Sequence, residues 1–451
     1  MDISDTGDTR DLRVLLKPLF FVMKLSGLYY TPDSVKQTTV QTLTGKESLR
    51  MNRIKDIFWN NIWKAYSIFV LALVWVMMIK CLVAMFWQYG DTEFKIKWSI
   101  LKAVVLGYNL QGALEASLLF RMFHRRDRYH KFIQDWYEFS IEAAACGCPQ
   151  DKVSRRLKKV FMRYFVSFMI LYIFLQVGIL GCLFGPDGVS KEAMLHLVDP
   201  FPRKAPFYIL IGILTMLIET PWMCVILLFV ATSKGLALQF KNLTFGLNKA
   251  ITESPNVYPP DLPALRLSHL KLCDFVALIE QDFKLILAVA YCLNILISLL
   301  LGYSMVKTDF EGTQFLLLGF WLVCNMSKVY VLSLCSSQLH DTAQEPMVAL
   351  FKVNPTGITA DQSTNLELFI LKLQGTSIGF TVWDFMLVRR ETILTVKSQS
   401  DKNASSQYLR TASYTLAARA TILISQKYSN AAIRLDSDGS VPHLLLHPCP
   451  V

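Results

Sequence analysis

The sequence predicts an all-α, polytopic helical membrane protein, on three observations. Apolar residues collect in long blocks, charged residues collect between the blocks, and the basic charges favour alternate connections. Of 451 residues, 53% are hydrophobic and 18% charged, whereas soluble domains run about 45–50% apolar and about 25% charged. Mean hydropathy is +0.36. This balance excludes a disordered chain, a collagen-like repeat and a disulfide-rich secreted scaffold.

The first apolar run, Val14 to Tyr30, is interrupted by Lys17, Pro18 and Lys24, and no small-residue cleavage site follows it. It reads as an amphipathic cytosolic helix and not as a signal peptide. Such a helix lies near the lipid headgroups or packs on the protein's own cytosolic face. A helix crosses the hydrocarbon layer with about 20 apolar residues. Six stretches reach that length: 65–87, 98–120, 164–185, 207–232, 285–306 and 314–337. The second is the most interrupted, by Lys102, Asn109, Gln111 and Glu115.

Four regions follow from these spans. Residues 1–64 form a cytosolic N-terminal segment, and 65–337 form a six-span bundle with long cytosolic helical extensions over 121–163 and 233–284. Residues 338–396 are a further cytosolic segment, and 397–451 a polar tail rich in Ser, Ala and charge, expected to be disordered. In the first extension Phe132, Trp136, Phe139 and Ile141 are read as one helical face; in the second Leu265, Leu272, Phe275, Val276 and Ile279 are. The Pro-rich stretch from Pro255 to Pro263 breaks the second extension.

Charge placement sets the expected orientation. Five Lys and Arg stand close before the first span, eleven in 121–163 and six in 233–284. The intervening connections carry two, three and one. Basic loops stay in the cytosol, so the N-terminus of this multi-pass protein is expected there. The net charge of +11 is thereby absorbed by membrane orientation, and no nucleic-acid partner is expected.

The remaining motifs are weak. Asp127-Arg128-Tyr129 spells a triplet of G-protein-coupled receptors, but it follows the second span with the N-terminus inside. Asn242 and Asn325 head glycosylation triplets that fall on the cytosolic side and inside a span. Cys146-Gly147-Cys148 has no second pair at zinc spacing, so no metal site is expected. No phosphate loop, dinucleotide fingerprint, zincin motif or nucleophile elbow occurs, so neither a catalytic residue nor a cofactor is expected.

Charges inside the spans are costly unless paired or wetted. Lys80, Lys102, Glu115, Glu219 and Lys328 are the instances. Glu219 and Lys328 fall at roughly 18 and roughly 21 Å below the outer ends of their spans, counting 1.5 Å per residue. They are expected to pair or to share one wet cavity. Pro221, two residues on, is expected to kink its span. Tyr108, Tyr208, Tyr303, Phe320 and Trp321, with polar Gln176 and Ser298 at similar depth, are candidate walls of a small-molecule pocket. Aromatic residues at that depth also serve as interfacial anchors.

Three places carry a family resemblance. Leu16-Lys17-Pro18-Leu19-Phe20 to Gly27-Leu28-Tyr29-Tyr30 resembles the opening of arthropod gustatory receptors. Leu366-Glu367-Leu368-Phe369 with Leu373-Gln374 resembles their segment ahead of the last span. Ser377-Ile378-Gly379-Phe380-Thr381 and Thr392-Ile393-Leu394-Thr395-Val396 resemble the stretch that enters it. The resemblance implies a seven-span chemosensory receptor gated by a small-molecule tastant, a cation-channel subunit in a homo- or hetero-tetramer held in membrane lipid. It further implies that Gly379, Phe380, Thr392 and Thr395 mark the entry to a pore-lining final helix.

The sequence departs from that pattern after Val396, where Lys397 to Asn403 is polar and no seventh apolar run follows. A multi-pass transporter is the alternative reading. Transporters tend to carry internal repeats, and none relates 65–185 to 207–337.

Overall fold

The computed structural model describes residues 12–29, 46–86, 95–124, 128–145, 148–184, 205–254, 258–307, 312–353, 359–375, 378–382 and 386–387. The chain divides into two units, Met1–Arg390 and Glu391–Val451. The second unit, which holds Thr392, Thr395 and all of the polar tail, lies outside the described residues.

Ten helices are described: α1 (Leu12–Leu25), α2 (Lys46–Phe86), α3 (Lys95–His124), α4 (Arg128–Ala145), α5 (Gln150–Phe184), α6 (Ala205–Glu253), α7 (Leu262–Lys307), α8 (Gly312–Gln344), α9 (Pro346–Leu350) and α10 (Ala360–Gly375). Six of them, α2, α3, α5, α6, α7 and α8, are long and apolar enough to cross a membrane. They contain the six apolar blocks read from the sequence, save Trp87 and Gly185, which lie outside the described residues. Among the described residues one antiparallel pair, β1 (Thr381–Val382) with β2 (Met386–Leu387), departs from the helices. Strands of two residues carry no hydrophobic period, so sequence patterning has nothing to register there.

The helices run on past the apolar blocks because an amphipathic stripe replaces all-round hydrophobicity. α6 continues to Glu253 and α7 resumes at Leu262, on either side of the Pro-rich break. On α4, Phe132, Trp136, Phe139 and Ala143 are buried, whereas Ile141 is exposed. Ile141 lies nine residues from Phe132, which is about half a turn off that face at 3.6 residues per turn. On α7, Leu265, Leu272, Val276 and Ile279 are buried at the expected spacing.

α6 is the central element. From Met223 to Ala231 every residue is buried, as befits a helix that is apolar on all sides. It packs on α8, α5, α3 and α7. α5 is its opposite: Val166, Ile170, Ile173, Phe174 and Val177 are all exposed. So large an outward apolar face fits contact with lipid chains.

α1 packs through Leu12, Leu16, Leu19 and Met23 onto the core, next to α6 and α4. Its other side exposes Val14, Lys17, Phe21 and Leu25. The helix ends in a Schellman turn. Gly27 donates its N–H to the Lys24 carbonyl at 3.2 Å and Leu28 to the Met23 carbonyl at 2.8 Å. Gly27 takes φ +69°, and an added Cβ there would lie 2.8 Å from Val70, so this position wants glycine. The main core fills the end of the bundle that carries α1 and α4. Two smaller clusters hold the other end, one around Ile297 and Trp321 and one around Val74 and Ile211.

Candidate functional site

The site lies between those two smaller clusters. Five of the six candidate spans wall a cavity of about 100 Å³ there, with α7 alone among them contributing no wall. α2 supplies Met77 and Cys81, and α5 supplies Leu171, Tyr172 and Leu175. α3 lines it with Tyr108, Asn109 and Gly112, α6 with Thr215, Glu219 and Trp222, and α8 with Trp321, Cys324 and Asn325. The walls are mainly apolar and aromatic with a few placed polar groups, which is the make-up of small-molecule sites.

Most of those polar groups are already satisfied within the protein. Asn109 donates to the Val105 carbonyl at 2.8 Å, and Thr215 to the Ile211 carbonyl at 2.8 Å. Asn325 donates to the Trp321 carbonyl at 3.0 Å and also to the Tyr108 hydroxyl. Tyr172 donates to the Met216 carbonyl at 3.1 Å, bridging α5 to α6. The Tyr108 and Trp321 rings meet edge to face, their centroids 5.7 Å apart. Glu219 accepts a hydrogen bond from Gln176.

The expected pairing of Glu219 with Lys328 is not what the structure shows. Lys328 donates to Glu115 at 2.6 Å, and both side chains are 0% exposed. Gln111 donates to the same oxygen, Glu115 Oε1, at 2.8 Å. Lys328 also sits over the Trp222 ring, 5.1 Å from its centroid. Counting residues from a span's end gives depth but not direction around the helix axis. Glu219 and Lys328 share a depth, yet Glu219 faces the cavity and Lys328 faces α3.

The other candidates divide. Tyr108 and Trp321 line the cavity, and Gln176 holds Glu219 at its wall. Tyr208 and Phe320 pack on the adjacent cluster instead. Ser298 is buried on α7, outside the lining, and Tyr303 is exposed. Lys80 is buried on α2, and Lys102 donates to the Ala84 carbonyl at 3.1 Å, tying α3 to α2. Asn109, Gly112, Tyr172, Thr215, Trp222 and Asn325 were not singled out as pocket residues. Asn109 and Asn325 did interrupt apolar runs, which was the available signal. Trp222 and Gly112 carried none.

Gly112 lets α3 approach α6. A Cβ at that position would stand 2.6 Å from Ile218 Cγ2 and 2.7 Å from the Ile218 carbonyl oxygen. Only hydrogen fits there.

Gly379 and Phe380 lie at the opposite end of the bundle and are both buried. The Phe380 ring packs against Phe229 at 4.9 Å and Phe283 at 6.2 Å between centroids. Thr381 donates to Glu280 Oε1 from its backbone N–H at 3.1 Å and from its hydroxyl at 2.6 Å. His340 Nδ1 lies 2.8 Å from the Ile378 carbonyl oxygen. The stretch 378–382 is thus fastened to α6, α7 and α8. Tyr129, of the Asp-Arg-Tyr triplet, is a core residue here, its hydroxyl 3.1 Å from that of Thr232. Burial pushes its phenol pKa up, so it stays neutral at physiological pH.

The family model described as "Trehalose receptor" matches residues 190–399, just under half of the chain. No curated protein sequence matches the chain. Among solved structures, the insect olfactory receptor OR5 from Machilis hrabei shares the fold at a TM-score of 0.64 and 15% identity, over 87% of this chain and 96% of that one. The same receptor in complex with eugenol aligns with a TM-score of 0.63 at 14% identity, over the same shares of both chains.

Proposed function

We propose that this chain is a membrane receptor of the insect-type chemoreceptor family and not an enzyme, and that its five-helix cavity receives a small-molecule tastant. The resemblance, the matched family model and the shared fold support the family reading. The receptor is a subunit of a ligand-gated cation channel, a homo- or hetero-tetramer at the plasma membrane with its N-terminus in the cytosol. The observation that carries the reading is the cavity itself, walled by five spans and lined by Tyr108, Glu219 and Trp321. Ligand contact there acts on α6, and α6 runs on to the core that holds Phe380. The residues that line it are proposed contacts, Tyr108 and Trp321 foremost.

The polar stretch after Val396 supports a subunit that conducts only beside related subunits supplying intact final helices. Whole-cell recording tests this with the chain expressed alone and together with related receptors, during application of sugars and bitter compounds. A ligand-evoked cation current is expected in the co-expressed case. Thr215→Trp, which fills the cavity, is expected to abolish that current while surface labelling persists. A current that survives the filled cavity places the ligand elsewhere.

A further inference from the structure

The chemistry of the cavity narrows its ligand beyond the reading just given, on which this inference rests. The polar groups on its walls are mostly committed inside the protein or buried without access to the cavity, the unpartnered indole N–H of Trp222 among the latter. The amide nitrogens of Asn109 and Asn325 bond to backbone carbonyls, and their oxygens are sealed from the cavity though they lack partners. The hydroxyls of Thr215 and Tyr172 also go to backbone carbonyls. Glu219 differs. One carboxyl oxygen accepts from Gln176, and the other makes no hydrogen bond among the described residues, while the side chain keeps access to the cavity. No Lys or Arg among the described residues pairs with it, since Lys328, the cation of the neighbouring helix, is committed to Glu115.

A sugar carries a hydroxyl on nearly every carbon, and each needs both a donor and an acceptor. This cavity offers one open carboxyl group among aromatic and aliphatic walls. An apolar body bearing one positive, hydrogen-bond-donating group matches it better. The aromatic faces of Tyr108 and Trp321 reinforce that match, because ring faces attract cations. A carboxylate without a counter-charge at membrane depth is costly, and a protonated amine supplies counter-charge and donor together.

We propose that the cavity is selective for small lipophilic amines, recognised through Glu219, over sugars and neutral isosteres. The test uses the purified full-length protein in lipid nanodiscs and reads the ligand-induced shift of thermal unfolding. The probes are 2-phenylethylamine, its neutral counterpart 2-phenylethanol, and trehalose. The amine is expected to act at a concentration at least tenfold lower than the alcohol, with trehalose inactive to millimolar levels. Glu219→Gln is expected to bring the amine-to-alcohol ratio close to one. Because the ratio is taken within each variant, it survives any change in that variant's own melting point. Equal action of amine and alcohol on the native protein, an unchanged ratio in Glu219→Gln, no response to the amine, or a response to trehalose alone would each overturn the proposal. Thr215→Trp separates the two readings. If the probes still bind with the cavity filled, the site itself is wrong; if it abolishes neutral binding that shows no amine preference, only the ligand class is wrong.

Discussion

Glu115 and Lys328 show what a single pair of residues can demand of a membrane bundle. A buried ion pair adds little net stability, yet removing one partner strands the other and costs about 3–5 kcal/mol. Lys328→Met is therefore expected to lower the melting temperature sharply and to reduce the correctly folded fraction in size-exclusion profiles. Glu115→Leu combined with Lys328→Met, which leaves no charge behind, is expected to recover most of that loss. A double variant no better than the single one would show that the pair does more than balance charge. Gly112 makes the converse demand. Gly112→Ala forces Ile218 of α6 away by its Cβ, and overpacking of this kind costs about 1–3 kcal/mol. Unfolding measurements should show that loss, and Ile218→Leu in the same chain, which removes the Cγ2 methyl that the new Cβ meets, should relieve part of it. At this scale the sequence was half legible. Lys80, Glu115, Glu219 and Lys328 stood out because charges are rare in apolar runs. Their partners did not, because pairing depends on helix rotation that one-dimensional spacing does not carry.

Among the elements, the six long helices were legible because each holds a run of about 20 apolar residues. Their extensions were legible from the 3.6-residue stripe, apart from Ile141, whose spacing puts it on the far side of α4. The short β1–β2 pair was not, since strands of two residues carry no period, and the anchoring of Thr381 was not, since it rests on a contact 101 residues away in sequence. That anchor is open to test. Glu280→Ala removes the acceptor for both Thr381 donors, and leaving a buried backbone N–H unpaired costs about 1–3 kcal/mol. If the stretch transmits ligand binding to a pore, the variant should shift the concentration dependence of the evoked current while its surface expression holds. Glu280→Gln keeps the side-chain carbonyl as acceptor and should behave nearly as the native chain. Identical currents from all three would mean that the anchor serves folding alone.

At the level of the whole molecule, the fold class was legible and the completeness of the channel was not. High hydropathy resolves into six candidate spans, and the same fold recurs in an olfactory receptor at 15% identity. Orientation remains a proposal resting on the loop charges. An epitope tag at the N-terminus is expected to be reached by antibody only after the cells are permeabilised; labelling of intact cells would reverse the topology and remove the cation-channel reading with it. The cavity end of the bundle is held by two small clusters, whereas the opposite end holds the main core. Such a division has an evolutionary consequence. Gly112 apart, substitutions around the cavity disturb fewer buried neighbours than those in the main core, so ligand preference can drift over generations at smaller cost to foldability. The densely packed end tolerates far less change. Lineages built on this plan should diversify in what they detect much faster than in how they are built.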